Sequence, residues 1–187
     1  RIGITGQAGF IGTHLFNYLT LKKTEVVLIP FEDSFFEHQD KLGAFVGQCD
    51  AIVHLAALNR HNDPQAIYIT NIELVQKLIC AMESTDRRPH VLFSSSTQEE
   101  RDNIFGKSKR EGRRLFTEWA DRSGGSFTGM VIPNVFGPFG HPYYNSVVAT
   151  FSHQLTHDEQ PRVEIDAQLK LIYIDDLVRV IWYLMKN

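Results

Sequence analysis

The sequence is short of cysteine, of long apolar runs and of surplus charge, and each shortage removes a class of protein. Two cysteines occur in 187 residues, Cys49 and Cys80. They have no paired or ligand-like spacing and each sits in an apolar stretch, which predicts buried free thiols in a reducing cytosol rather than a disulfide scaffold. No segment approaches the roughly 18 consecutive apolar residues of a membrane-spanning helix. The opening Arg1-Ile2-Gly3-Ile4-Thr5 is too short, and too soon broken by glycine, for a signal peptide. The lack of an initiating Met leaves room for trimmed termini. With 19 basic and 22 acidic residues mixed along the chain, the net charge is -3. That is a solvated surface, with no electrostatic case for nucleic acid or a membrane. Internal repeats, low-complexity tracts and linkers are missing too, so a single domain over 1–187 is expected.

The chain is 43% hydrophobic, enough at this length for one good core. Short apolar runs at 2–5, 25–29, 51–55, 91–94 and 128–132 read as strands, and amphipathic segments at 10–21, 40–47, 64–84 and 105–122 as helices. The clearest helical stripe is Ile72, Val75, Leu78, Ile79 and Met82, at three- and four-residue spacing. Gly124-Gly125 is a helix stop ahead of the next strand. Such alternation predicts an α/β fold, a Rossmann-like doubly wound parallel sheet with helices on both faces. A small C-terminal lobe at 137–168 is expected to hold the substrate.

Thr5-Gly6-Gln7-Ala8-Gly9-Phe10-Ile11-Gly12 follows the first strand and opens the first helix. Glycines serve three needs there: a tight turn, close approach of backbone to a pyrophosphate, and packing of helix on strand. The helix N-terminus adds unpaired N–H groups and partial positive charge. In that strand–turn–helix setting the pattern predicts dinucleotide binding, through Gly6, Gly9, Phe10, Ile11 and Gly12.

The T-G-x-x-G-F-I-G form of this loop resembles the extended short-chain dehydrogenase/reductase family. Val53-His54-Leu55-Ala56-Ala57 is similar to that family's fourth-strand segment, where small residues let the cofactor ribose lie on the backbone. Asn71-Ile72 resembles the Asn that opens the next long helix, and Ser94-Ser95-Ser96 the strand end carrying a catalytic hydroxyl. Leu58-Asn59-Arg60, Ser94-Ser95-Ser96-Thr97-Gln98, Pro133-Asn134-Val135-Phe136-Gly137 and the segment Tyr144-Asn145-Ser146-Val147-Val148-Ala149-Thr150-Phe151 together resemble the reductase half of CapF-type capsule-precursor enzymes. That resemblance spans essentially the whole chain. It implies NADPH-dependent reduction of a UDP-linked 4-keto-6-deoxy-N-acetylhexosamine. Those enzymes carry a further cupin domain with a metal site, to which nothing here corresponds, so the chain is either a free-standing reductase-like domain or part of a longer protein. A homodimer is the assembly to test.

The family's chemistry rests on a Tyr-x-x-x-Lys pair, whose spacing puts both side chains on one helix face. The ammonium lowers the phenol pKa so that it can exchange a proton with the sugar oxygen, and also holds the nicotinamide ribose. The matching stretch here is Phe105-Gly106-Lys107-Ser108-Lys109. The resemblance puts Lys109 at the lysine position, Ser96 at the orienting hydroxyl and Phe105 where the tyrosine should be. The ring is kept and its proton is lost. Altered chemistry, a mutated chain, or another proton carrier such as a water held by Ser96 and Lys109 would each account for this. Leu55, Ala56, Ala57, Asn71, Ser94 and Pro133 are the further cofactor contacts the resemblance implies.

Cofactor choice stays open between NAD and NADP. Pro30 falls where NAD-binding relatives place an acid, with Glu32 and Asp33 just beyond. Two carboxylates would repel a 2′-phosphate and favour NAD, whereas the resemblance favours NADP. On the substrate side, the resemblance implies that Asn134, Tyr144 and Asn145 meet the UDP-sugar, Asn145 at a helix start near the diphosphate; His141 and Tyr144 are each equally well plain loop residues. Asp175 and Asp176 read as caps of the last helix. His153, His157 and Asp158 have partial metal-ligand spacing without an evident third ligand, so no metal site is expected. The functional expectation is reduction of a UDP-amino-sugar, with epimerase or dehydratase chemistry as the adjacent alternative. A binding protein that has lost catalysis is the rival of another class.

Overall fold

Strands buried on both faces need helices on both sides, and β1 (Ile2–Thr5) and β3 (Ala51–His54) are buried at every position. In the computed structural model, which describes residues 1–163 and 168–186, they form the middle of a five-stranded parallel sheet. Its other strands are β2 (Leu28–Ile29), β4 (His90–Ser96) and β5 (Phe127–Ile132), in the order β2-β1-β3-β4-β5. The chain runs outward from β1 to β2 and then returns past β1 to β3. The direction of winding therefore reverses between β1 and β3, and a crevice opens beyond their carboxyl ends.

Side chains alternate across the sheet. Ala51 and Val53 join Ile4, Leu92 and Ile132 beneath α1 (Phe10–Thr20) and α6 (Ile174–Lys186). Ile52, Val91 and Phe93 face the other way, under α2 (Gln39–Gln48), α3 (Pro64–Ser84) and α4 (Ile104–Ser123). The predicted stripe of α3 faces this second core, with Val75, Leu78, Ile79 and Met82 all buried. Asp63 caps that helix by accepting from Gln65 N at 2.9 Å, and Pro64 opens it. Gly124 closes α4 at φ 70°, as the Gly-Gly stop implied.

Four expectations need correcting. The second strand is two residues long, not five, because Glu25 N and Val26 N are spent on Lys22 O in the preceding turn. Cys80 is exposed: it follows Ile79 on α3, about 100° round the helix from the stripe. Cys49 is buried as expected, and burial pushes its thiol up to about 12. Asp175 and Asp176 lie within the first turn of α6 rather than at its cap, and Asp175 pairs with Arg179 at 2.8 Å. Finally, Asn71 lies well inside α3 rather than opening it.

Beyond β5 the chain leaves the main sheet. β6 (Asn134–Phe136) and β7 (Leu171–Tyr173) make a two-stranded parallel sheet, with α5 (Val147–Thr156) between them in sequence. Of the lobe expected at 137–168, α5 lies inside the bounds and both strands of this small sheet lie outside them, while 164–167 are outside the described residues.

Candidate cofactor and substrate site

The glycine loop is built by contacts that admit no side chain. Gly6 stands at φ 70°, and a Cβ there would come within 2.6 Å of Ala56 N. A Cβ on Gly12 would overlap Gly6 O and stand 2.7 Å from Gln7 Cα. Gly9 differs: its nearest obstacle is Gly6 O at 3.3 Å, and it lies exposed at the N-cap of α1. The fold itself therefore needs Gly6 and Gly12, whereas the absent side chain of Gly9 leaves room for something outside the protein. The first turn of α1 carries no acidic residue, so its N–H groups keep their attraction for an anion. Phe10 and Ile11 pack against the α1 side of the core. A cradle that a Cβ would fill, at an uncountered helix N-terminus, fits a dinucleotide pyrophosphate.

The floor of the crevice is cross-braced. Thr5 Oγ1 lies 2.7 Å from His54 Nδ1 and accepts from Ala56 N at 3.4 Å, while Leu55 N donates to Thr5 O at 3.1 Å. These bonds fix Leu55, Ala56 and Ala57 beside Gly6. Ser94 Oγ donates to His54 O at 3.1 Å, which spends it on joining β4 to β3. His54 is fully buried among Phe36, Phe93 and Phe116, and its Nε2 has no hydrogen-bond partner among the described residues. Burial, with the charge of Lys109 adding to it, lowers its pKa to about 3.

Asn71, picked out for the cofactor, is instead a strut. Its carboxamide accepts from Leu58 N at 2.7 Å and donates to Leu58 O at 3.1 Å and to Ser108 Oγ at 3.0 Å. It fastens the loop after β3 to α4, and so acts on any ligand through that loop.

Phe105 and Lys109 are brought together by the start of α4, and Ser96 ends β4 just ahead of the turn that this helix packs against. Asn103 caps the helix through Gly106 N at 2.7 Å. Gly106 has no room for a Cβ, which would overlap Gln98 O, so the helix comes directly against the turn at Thr97–Glu100. Ser96 Oγ accepts from Gln98 N at 3.2 Å, leaving its own proton to donate. Lys109 is only 4% exposed. Its Nζ stands 5.0 Å from the Phe93 ring centre and 5.5 Å from that of Phe105, and burial lowers its pKa to about 8 against some support from Glu99. Glu99, which the sequence did not single out, is buried and held by Arg113 Nε at 2.9 and 3.1 Å and by Ser95 Oγ. This cluster fastens the end of β4 to α4.

Pro133 links β5 to β6, and Asn134 opens the latter. Asn134 Nδ2 donates to Asn145 O at 3.0 Å. Asn145 does not begin α5, since Ser146 is its cap and accepts from Ala149 N; Asn145 sits one residue earlier and is exposed. Tyr144 lies beneath the Arg60 guanidinium at 4.8 Å. A groove of about 540 Å³ runs between Phe136–Gly140 and α5. His153 lines it and stacks on His157 at 3.9 Å between ring centres. Among the described residues no three His, Cys, Asp or Glu side chains are grouped to hold a metal.

Comparison with known proteins gives the same picture from outside. The model of the NAD dependent epimerase/dehydratase family matches residues 2–187. A UDP-2-acetamido-2,6-beta-L-arabino-hexul-4-ose reductase of Pseudomonas aeruginosa is 33% identical over 99% of this chain and 49% of its own length. Among solved structures, the capsular polysaccharide assembling protein CapF of Staphylococcus aureus superposes with a TM-score of 0.80 at 30% identity, covering 100% of this chain and 49% of its own. RMD of Pseudomonas aeruginosa, complexed with NADPH, gives 0.86 at 21% identity over 100% of this chain and 74% of its own, a likeness of fold. The chain spans about half the length of the curated relative it matches.

Proposed function

The chain belongs to the NAD dependent epimerase/dehydratase family, and we propose that it is the cofactor-binding, reductase part of an enzyme that reduces a UDP-linked 4-keto-6-deoxy amino sugar for bacterial surface polysaccharide. One observation carries the reading: a chain with a glycine cradle, a serine hydroxyl free to donate and a buried lysine is 33% identical to a UDP-2-acetamido-2,6-beta-L-arabino-hexul-4-ose reductase. NADH or NADPH would supply a hydride. Gly6, Gly9 and Gly12 with the α1 N-terminus would hold its pyrophosphate, and Leu55, Ala56 and Ala57 would form the floor under its ribose. Ser96 would orient the sugar oxygen by donating to it, and Lys109 would supply positive charge beside the ribose. Tyr144 and Asn145 would meet the sugar nucleotide. A uridine diphosphate there, a cytoplasmic setting and a homodimer belong to the same proposal. Epimerase or dehydratase chemistry would use the same residues to hold the sugar at C4.

Phe105 supports a second reading, a protein that binds both nucleotides and turns over slowly or not at all. Its ring occupies the face of α4 shared with Lys109 and offers no proton. General acid–base catalysis is worth roughly a hundred- to ten-thousand-fold. Phe105→Tyr restores a phenol beside the Lys109 charge, and is expected to raise single-turnover oxidation of NADH or NADPH by at least about tenfold with a UDP-4-keto-hexosamine. Equal inertness of both forms would favour the binding protein. A fast parent would mean another proton donor and a wrong role for Phe105.

A further inference from the structure

We propose that Arg60 is a phosphate-binding residue of the sugar-nucleotide site, and that it also sets the Asn145 carboxamide to donate. The inference deepens the reading above and rests on it. Arg60 lies in the loop after β3, yet its side chain reaches across to the small lobe. Its Nε donates to Asn145 Oδ1 at 3.1 Å, one Nη donates to Tyr143 O at 3.3 Å, and its plane lies 4.8 Å from the Tyr144 ring centre. Asn134 holds the same segment from the other side through Asn145 O.

A guanidinium carries donors and no acceptor. The Asn145 atom that meets Arg60 Nε must therefore be the carboxamide oxygen, which turns the NH₂ end away from Arg60. Neither that NH₂ nor the second Nη of Arg60 makes a hydrogen bond to another described residue. No carboxylate pairs with Arg60 among the described residues either. An exposed cation and an amide donor are thus fixed side by side, and stacking on Tyr144 keeps the guanidinium plane in place. Donors alone, with an unneutralised positive charge, suit the oxygens of a nucleoside diphosphate and ill suit a neutral sugar.

Calorimetry with UDP, UMP and uridine on the parent, Arg60→Met and Asn145→Asp tests this. Arg60→Met should weaken UDP binding by at least about tenfold, the scale of a lost charged hydrogen bond, and should leave uridine unchanged. Asn145→Asp keeps the partner of Arg60 but puts a carboxylate where the donor was, and should also reject UDP while sparing uridine. NADH and NADPH binding on the same samples, expected unchanged, reports an intact fold. Undiminished UDP binding by Arg60→Met, or equal losses for UDP and uridine, would overturn the phosphate role and leave Arg60 as a mere tie between lobe and loop. If the parent itself binds no nucleoside diphosphate, the proposal and the nucleotide-sugar reading fail together.

Discussion

Lys109 shows what the site costs the fold. A lysine 4% exposed between two phenyl rings has its charged form penalised, and its pKa falls from 10.5 to about 8. The unfolded chain therefore holds this proton between about pH 8 and 10.5 while the folded chain does not, so stability rises with pH across that window. Below it the penalty is about 3 kcal/mol, from 1.36 kcal/mol per pKa unit. Lys109→Met should accordingly be more stable than the parent at pH 7, with the gap closing as pH rises to 10.5. Urea midpoints of both proteins across that range measure it. A gap that is flat with pH would mean that Lys109 is not desolvated as the structure shows.

At the scale of elements, two helix starts make the site, and their glycines divide into two kinds. Gly12 and Gly106 are required by the protein, since a Cβ on either would overlap a backbone oxygen. Gly9 is held less strictly, since a Cβ there would meet Gly6 O at 3.3 Å, a tight contact short of overlap. Gly9→Val should thus cost less stability than a side chain at Gly12 and abolish dinucleotide binding, because the added methyls fill the cradle. Gly106→Ala should do the opposite damage: α4 has to back away from Gln98, carrying Phe105 and Lys109 with it, at a cost of about 1–3 kcal/mol. Thermal melts with and without NADH or NADPH separate the cases. A Gly9→Val protein that still binds its cofactor would show that the pyrophosphate does not lie at this loop.

At the scale of the molecule, two long-range hydrogen bonds tie the small lobe to the elements around the main sheet. His14 Nε2 donates to Pro138 O at 3.0 Å from α1, and Arg60 reaches Asn145 from the loop after β3. A ligand spanning both parts should stabilise the protein by mass action. At saturating concentration, at least one of NAD, NADH, NADP and NADPH is expected to raise the melting temperature, and UDP-sugars to raise it more than TDP-, GDP- or ADP-sugars. Silence from all four dinucleotides would contradict the dinucleotide reading. A preference for a base other than uridine would remove the capsule-precursor assignment and spare the fold.

The sequence by itself determined the parts whose cause lies within a few residues. The glycine loop, the stripe of α3, the Gly124 stop and the Phe105–Lys109 spacing are set by local backbone needs and by helical period, so they could be read along the chain. It failed where partners are distant or one position decides. Asn71 was legible as notable, but its hydrogen bonds to Leu58 and Ser108 were not, because those partners lie 13 and 37 residues away. Cys80 differs from buried Ile79 only by a step round a helix. Glu99 with Arg113, and Arg60 with Asn145, are ordinary charged and polar residues until the fold sets them 14 and 85 residues apart in sequence but in contact. Only the tertiary structure decided that Lys109 is buried, that Arg60 crosses to the lobe and that Gly9 is the least crowded glycine of the loop. Burial and hydrogen-bond partnership are properties of packed surfaces, and local sequence does not carry them.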